Sequence, residues 1–139
     1  MRILVVDDFP TMRAITKKIL KDLGFKEILE AENGEEALKI LKSERIDLVI
    51  SDWNMPKMDG LTLLKNIRSD PELKDTLVMM VTAEAEKQKV LEAVKLGVNG
   101  YVVKPFTPET LEEKIKKVHS PERKRACKNE IEGNRLRSD

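Results

Sequence analysis

The stretch "DLVISDWNMPKMDG", residues 47–60, joins a segment suited to burial to a polar loop. Its first half is a short run rich in Val and Ile without polar alternation, which is typical of a parallel strand buried on both faces. Its second half holds two acids together with Pro56 and Gly60, which are residues that favour a loop. The pattern therefore predicts a buried strand that carries the carboxylate of Asp52 at its tip.

The same unit, a short apolar run followed by a polar turn, recurs along the chain. One weaker segment alternates polar and apolar residues, as an edge strand covered on one side does. The predicted buried strands are 3–6, 47–51, 77–81 and 100–104, and the predicted edge strand is 27–31.

Segments with the apolar spacing of amphipathic helices separate these strands. Pro10 suits a first helical turn and Gly24 a helix end, while Thr107 suits an N-cap. The predicted helices run from Pro10 to Gly24, from Asn33 to Ser43, from Leu61 to before Pro71, from Val90 to Gly97 and from Pro108 to Val118. The expected core-facing stripes are Met12, Ile15, Ile19, Leu20 and Leu23 in the first helix and Val90, Leu91 and Val94 in the fourth.

This alternation of five strands and five helices predicts an α/β fold with an open, doubly wound parallel sheet. Five units are too few for a closed eight-stranded barrel. Functional sites in such open sheets form beyond the carboxyl ends of the strands. We therefore looked for reactive residues at the five predicted strand tips.

Length and composition predict one globular domain and a short polar tail. The chain has 139 residues, of which 40% are hydrophobic, and this is enough for one packed core. We expect the domain to cover 1–119. Residues 120–139 hold six basic and four acidic residues, with Ile131 and Leu136 as the sizeable apolar groups, so we expect a disordered tail or a frayed helix.

The overall charge and the single cysteine exclude several classes of protein. A net charge of +1 gives no long-range field for nucleic acid or a membrane. Cys127 alone allows neither an internal disulfide framework nor a cysteine-based zinc site. The first strand leaves no room for a signal peptide, and no apolar run approaches the roughly 18 residues of a membrane span. We therefore expect a cytoplasmic protein.

Five polar residues stand at four of the predicted strand tips: Asp7, Asp8, Asp52, Thr82 and Lys104. Each residue type is common at such positions for structural reasons, but their convergence on one sheet edge favours a site. Neighbouring carboxylates repel one another unless a cation lies among them. Oxygen ligands without a nearby His or Cys favour Mg²⁺ over softer metals, and the small number of carboxylates favours it over Ca²⁺. A carboxylate beside Mg²⁺, an ammonium and a hydroxyl is suited to phosphoryl transfer.

Four motifs resemble those of response-regulator receiver domains over roughly residues 1–119: "VVDDFPTMR", "ISDWNMPKMDG", "MVTAEA" and "GYVVKPF". Trp53, Tyr101 and Phe106 make the chain most similar to the chemotaxis members of that family. The resemblance implies a flavodoxin-like (βα)₅ fold with strand order 2-1-3-4-5.

By this resemblance, Asp52 accepts a phosphoryl group from a phosphohistidine on a sensor histidine kinase. Mg²⁺ is then expected on Asp8, Asp52 and the backbone carbonyl of Asn54, with Asp7 acting through a water. Lys104 is expected to pair with a phosphoryl oxygen, and Thr82 to turn toward it. Asn54 and Glu84 are expected to tune hydrolysis of the acyl phosphate.

The resemblance also implies an output switch in which Tyr101 swings inward and reshapes the face of helix four, strand five and helix five. The expected partner is the flagellar motor switch protein, a phosphatase is a further candidate, and the protein is expected to act as a monomer. For Trp53, a partner or gating role and simple packing both remain open. The expected output residues are Ala85, Tyr101, Val103, Phe106, Thr107, Lys114 and Lys117. Glu86 and Lys87 stand where the best-known members have paired lysines, which puts partner affinity in doubt.

The residues of this chain argue against two other functions and leave a third as an alternative. Haloacid-dehalogenase-like phosphatases need an acid two residues after the nucleophile of strand one, where this chain has Phe9 or Pro10. A flavodoxin needs a hydroxyl-rich phosphate loop, which "DFPTMR" does not provide. The remaining alternative is the receiver portion of a DNA-binding transcriptional regulator without its effector domain. Dimerisation on phosphorylation would distinguish this alternative from the chemotaxis type.

Overall fold

The computed structural model of the protein describes residues 1–53, 55, 58–82, 87–104 and 106–119, with backbone alone at 87–90 and 119. Five strands alternate with five helices in this part of the chain. The strands are β1 (Arg2–Val6), β2 (Glu27–Ala31), β3 (Leu48–Asp52), β4 (Leu77–Thr82) and β5 (Gly100–Val103). The helices are α1 (Pro10–Asp22), α2 (Gly34–Ser43), α3 (Gly60–Ser69), α4 (Lys87–Lys95) and α5 (Pro108–His119).

The strands form one parallel sheet in the order β2-β1-β3-β4-β5. This confirms the predicted fold and strand order. The chain leaves β1 toward one edge and returns at β3 on the other side, so the switch point lies between β1 and β3. Val6 is in register with Ser51, which places Asp7 and Asp52 at the same level on either side of that point.

Two layers of core cover the two faces of the sheet. Leu4 and Val6 point to the layer that contains residues of α2, α3 and α4. Ile3 and Val5 point to the layer that contains residues of α1 and α5. Strand residues alternate between the faces, so both layers need apolar residues, and this explains the uninterrupted apolar runs of β1, β3 and β4.

Side-chain caps mark the starts of three helices. Asn33 accepts a hydrogen bond of 2.9 Å from the backbone N–H of Glu36 at the start of α2. Asp59 accepts one of 2.8 Å from Thr62 at the start of α3. Thr107, the predicted N-cap of α5, accepts one of 3.2 Å from the backbone of Thr110. These bonds satisfy amides that the first helical turn leaves unpaired.

The predicted core-facing stripes of α1 and α4 were partly wrong. Ile15 is 45% exposed, and the polar Thr16 is buried in line with Leu20, four residues later on the same helix face. In α4, Leu91 and Val94 are 60% and 55% exposed, whereas the small Ala93 is buried. Val90 has no described side chain.

The prediction that strand five is buried on both faces was also wrong. β5 has a single neighbour because it is the last strand of the sheet, and Val103 is 37% exposed. The strand ends at Val103, so Lys104 belongs to the following loop. Within the described residues, no helix is long and apolar enough to cross a membrane. The predicted tail, 120–139, lies outside those residues.

Candidate functional site

Three carboxylates meet at the carboxyl edge of the sheet, on both sides of the switch point. Asp7 and Asp8 follow β1, and Asp52 is the last residue of β3. Each offers one oxygen, and these three oxygens lie within 4.8 Å of one another. Asp7 and Asp52 are 5% and 8% exposed, so the cluster lies largely away from bulk water. The structure thus brings together the three acids singled out in the sequence.

Lys104 joins two of the three acids. Its Nζ lies 3.2 Å from Oδ1 of Asp52 and 3.6 Å from Oδ2 of Asp7, and its side chain is largely buried. Its backbone N–H donates a 2.6 Å hydrogen bond to the carbonyl of Thr82, which fixes the start of the loop after β5 against the end of β4. Thr82 is buried at the same edge.

Asp52 is held in place but ionises at a cost. The backbone N–H of Trp53 donates a 2.8 Å hydrogen bond to its Oδ1. Burial raises the pKa of Asp52 above its ordinary value, Lys104 opposes this shift and the charge of Asp7 adds to it. The carboxylate therefore favours any further positive charge that enters the cluster.

Asp8 supplies the oxygen that is best placed for a cation. Among the described side chains, its Oδ1 is a buried atom without a hydrogen-bond partner. Buried polar atoms are nearly always paired, so this carboxylate oxygen suits a partner such as a cation or a water molecule. Three carboxylates with one orphan oxygen form a cluster able to bind a metal ion, and an all-oxygen donor set fits a hard cation such as Mg²⁺.

The loop after β1 is tied to the rest of the sheet by several bonds. Oδ1 of Asp7 accepts a 2.9 Å hydrogen bond from the backbone N–H of Phe9, and the N–H of Asp7 donates to the carbonyl of Ala31 at 3.1 Å. Nη1 of Arg13 donates a 2.8 Å bond to the carbonyl of Asp7, and its Nε lies 3.3 Å from Glu30. Arg13 and Glu30 were missed in the sequence analysis, although Arg13 stands inside the quoted "VVDDFPTMR" motif.

The start of α3 packs directly against the end of β3. A Cβ on Gly60 would lie 2.5 Å from the carbonyl oxygen of Asp52 and would also meet Met80. The N–H of Gly60 donates a 2.9 Å bond to the carbonyl of Trp53. Glycine is therefore required where the loop returns to the strand that carries Asp52.

Trp53 is 5% exposed and belongs to the core layer that faces α2, α3 and α4. Of the two interpretations left open for Trp53, its burial favours simple packing over direct contact with a partner. Its backbone contact with Asp52 still makes it a reporter of the site.

Several predicted output residues share one surface groove. Nζ of Lys114 lies 5.6 Å from the centroid of the partly buried Tyr101 ring. A groove of about 370 Å³ is lined by Tyr101, Val102, Val103, Phe106, Thr107, Thr110 and Lys114. Lys117 does not line it and instead pairs with Glu113 at 3.2 Å. Asn54, Glu84 and Ala85 lie outside the described residues.

Comparison with known proteins agrees with this fold. Residues 3–116 match the family model of the response regulator receiver domain. The chain is 56% identical to chemotaxis protein CheY-3 of Vibrio cholerae over 118 residues, which cover 85% of this chain and 91% of that protein. It is 53% identical to chemotaxis protein CheY of Pseudomonas aeruginosa, again over 85% of this chain and 95% of that protein.

A solved structure shows the same architecture. The chemotaxis response regulator CheY4 of Vibrio cholerae superposes with a TM-score of 0.78 at 38% identity, over 84% of this chain and 97% of that one. The resemblance inferred from the four motifs is confirmed by these matches. The chain therefore belongs to the family of response regulator receiver domains, and within that family it is similar to the CheY chemotaxis proteins.

Proposed function

We propose that this protein is a chemotaxis response regulator that accepts a phosphoryl group on Asp52 from the phosphohistidine of a sensor histidine kinase. The main support is the position of Asp52, buried at the switch point with Lys104 at 3.2 Å and two further carboxylates beside it. Its similarity to CheY proteins supports the chemotaxis assignment. No observation favours the alternative of a DNA-binding regulator.

In the transfer step, a carboxylate oxygen of Asp52 attacks phosphorus, the new O–P bond forms, and the P–N bond to the histidine breaks. The leaving imidazole nitrogen keeps the bonding pair and takes up a proton. Lys104 stabilises negative charge on the phosphoryl oxygens during transfer. Once the phosphoryl group is on Asp52, the hydroxyl of Thr82 at the end of β4 turns toward one of these oxygens and donates a hydrogen bond to it.

Asp8, Asp52 and the backbone carbonyl of Asn54 would hold the Mg²⁺ ion, with Asp7 acting through a water. When bound, Mg²⁺ supplies charge neutralisation at the phosphoryl oxygens. Asp7 and Asp8, directly after β1, supply further negative charge beside Asp52. Lys104 contacts Asp52 and Asp7 and keeps the Asp52 carboxylate oriented. We further propose that the chain catalyses its own phosphorylation and dephosphorylation, with Asn54 and Glu84 setting the rate of hydrolysis.

Phosphorylation is read out at the groove on β5 and α5. Thr82 and Tyr101 couple the site to this groove, since the phosphorylated form stabilises one of two arrangements of the switch residues. The proposed partner is the flagellar motor switch protein, contacted through Ala85, Val103, Phe106, Thr107, Lys114 and Lys117. We propose that the protein acts as a cytoplasmic monomer, without nucleic acid or membrane contacts, and that a phosphatase is a candidate second partner.

Phosphorylation by a small acyl donor tests the nucleophile. Parent, Asp52→Asn and the control Asp59→Asn are incubated with acetyl phosphate and Mg²⁺, and the intact mass of each is measured. Asp59 caps α3, and Asn is an equally good cap, so this control makes the same chemical change without touching the cluster. We expect parent and control to gain a phosphoryl group and Asp52→Asn to gain none. Equal labelling of Asp52→Asn would assign the chemistry to another residue.

A further inference from the structure

Arg13 connects the acidic loop to the neighbouring strand. Its side chain is 14% exposed although it carries a full charge. Nη1 donates a 2.8 Å hydrogen bond to the carbonyl of Asp7, and Nε lies 3.3 Å from Oε1 of Glu30 on β2. The guanidinium thus spans from helix α1 to both the end of β1 and the strand beside it.

Glu30 is itself fixed by a second cation. Its other oxygen, Oε2, lies 3.1 Å from Nζ of Lys17. Burial favours the neutral form of Glu30, but Lys17 and Arg13 outweigh this effect and lower its pKa. The carboxylate therefore stays charged and provides a fixed anchor for Arg13.

These bonds hold the backbone on both sides of Asp8. The backbone on one side of Asp8 is held by Arg13 and by Ala31 through Asp7, and the other side is held by the bond from Arg13 N–H to the carbonyl of Phe9 at 3.0 Å. The side-chain oxygen of Asp8 that lies buried has no hydrogen-bond partner of its own among the described residues. The direction of the Asp8 carboxylate therefore depends on the position of the Asp8 backbone.

We infer that Arg13 is a positioning residue of the metal site, which aims the Asp8 carboxylate by clamping the Asp7 carbonyl against Glu30. This inference rests on the metal site of the proposed function. Partners that orient a metal ligand without touching the metal typically affect affinity about 10- to 100-fold when they are removed. The clamp acts on the backbone beside the ligand, so we expect an effect near the lower end of that range.

The direction of the change in Mg²⁺ affinity distinguishes a positioning role of Arg13 from a purely electrostatic one. Removing a positive charge near the carboxylates strengthens cation binding if only Coulomb interaction matters. Removing a clamp that orients a ligand weakens it. The variant Arg13→Met keeps most of the aliphatic stem and removes the guanidinium, so the two explanations predict opposite shifts in Mg²⁺ affinity.

The experiment titrates Mg²⁺ into full-length protein and follows the fluorescence of Trp53, the sole indole. Arg2→Met is the matched control. Arg2 is also paired with two glutamates, Glu27 and Glu44, but it lies at the opposite end of β1. We expect Arg13→Met to need about tenfold more Mg²⁺ than the parent, whereas Arg2→Met stays within about twofold.

Three further variants keep the test decisive if Arg13→Met does not fold, as judged by circular dichroism. Arg13→Lys keeps the charge but cannot reach both acceptors as a fork, so its Mg²⁺ affinity is expected to fall several-fold. Glu30→Gln removes the anchor and is expected to weaken Mg²⁺ binding, while Lys17→Gln, which removes one support of Glu30 but keeps its contact with Arg13, is expected to weaken it less.

The inference is wrong if Arg13→Met binds Mg²⁺ as tightly as the parent or more tightly. If Arg13→Met is unfolded, parent-like Mg²⁺ affinity in Arg13→Lys would overturn it instead. Failure of the parent itself to bind Mg²⁺ would instead refute the metal site of the proposed function, so the two failures are distinguishable. Thermal denaturation without Mg²⁺ separates the effects, since a purely structural role would lower Tm in metal-free buffer without changing the affinity of the folded protein.

Discussion

Asp52 is a buried carboxylate whose ionisation opposes folding of the metal-free protein. The carboxylate is 8% exposed, and burial together with the charge of Asp7 raises its pKa despite Lys104. A carboxyl whose pKa is higher in the folded than in the unfolded state opposes folding once it is ionised. The free energy of unfolding is therefore expected to fall as pH rises from the ordinary Asp value through the raised one.

Asp52→Asn is expected to stabilise the metal-free protein at neutral pH by an amount on the order of 1 kcal/mol, which is usual for a single site. The amide keeps the shape of the side chain and removes the cost of ionisation. Thermal denaturation in EDTA should show a higher Tm for the variant, and the gain should vanish at low pH, where the parent carboxyl is protonated. Excess Mg²⁺ should reverse the order, because ligand at 100 times Kd stabilises the parent by about 2.7 kcal/mol. A lower Tm for the variant in EDTA would contradict this explanation.

At the scale of the elements, Arg68 joins the end of α3 to two loops. The guanidinium is largely buried, which lowers its pKa, and its acceptors are neutral oxygens at 2.7–3.0 Å. These acceptors are the carbonyls of Lys74, Thr76 and Gly97 and the side chain of Asn99. Arg68 thereby fixes the loop before β4 and the turn that ends α4.

Arg68→Met is expected to lower the free energy of unfolding by about 2–4 kcal/mol, because several partly buried carbonyls lose their donor. Arg45→Met is the control, since the Arg45 side chain is 88% exposed. Urea unfolding measures both. A loss below about 0.5 kcal/mol for Arg68→Met, the range of ordinary surface changes, would show that water replaces the guanidinium without cost.

The proposed coupling between Thr82 on β4 and Tyr101 on β5 leads to a second prediction for the elements. Thr82→Ala and Tyr101→Ala are expected to keep phosphorylation by acetyl phosphate largely intact while reducing the phosphorylation-dependent gain in binding to a motor-switch peptide. Thr62→Ala on the exposed face of α3 is the control. Intact mass and peptide affinity are measured on the same samples. A parent-like gain in either variant would remove that residue from the switch.

Much of the architecture could be predicted because apolar runs and helix caps are local signals. The predicted N-cap at Thr107 is confirmed by its bond to the backbone of Thr110. The predicted carboxylates lie close together because parallel strands end at one edge of the sheet. Periodicity alone could not distinguish Thr16 from Ile15, since adjacent helix positions differ by about 100° and packing against the sheet decides which one is covered. The clamp of Arg13 on Asp7 was not predictable, because it depends on how α1 sits against β2.

At the scale of the whole molecule, two core layers enclose one sheet, and α5 covers β4 and β5 with its buried residues Leu111, Ile115 and Val118. We expect truncation after His119 to leave phosphorylation unchanged. The removed residues include only Ile131 and Leu136 as sizeable apolar groups. Burial contributes roughly 25 cal/mol per Å², and ordering the flanking chain offsets much of this. A fall in Tm of more than about 4 °C, which corresponds to over 1 kcal/mol for a chain of this length, would show that the tail docks.

Locating the acyl phosphate in the parent protein tests directly whether Asp52 is the nucleophile. Phosphorylated protein is reduced with borohydride, which converts an aspartyl phosphate to homoserine, and the digested peptides are sequenced by mass spectrometry. We predict modification at Asp52, in the peptide that joins β3 to α3, and its loss when Mg²⁺ is removed by EDTA before phosphorylation. Modification at Asp7, Asp8 or His119, with Asp52 unchanged, would contradict the account.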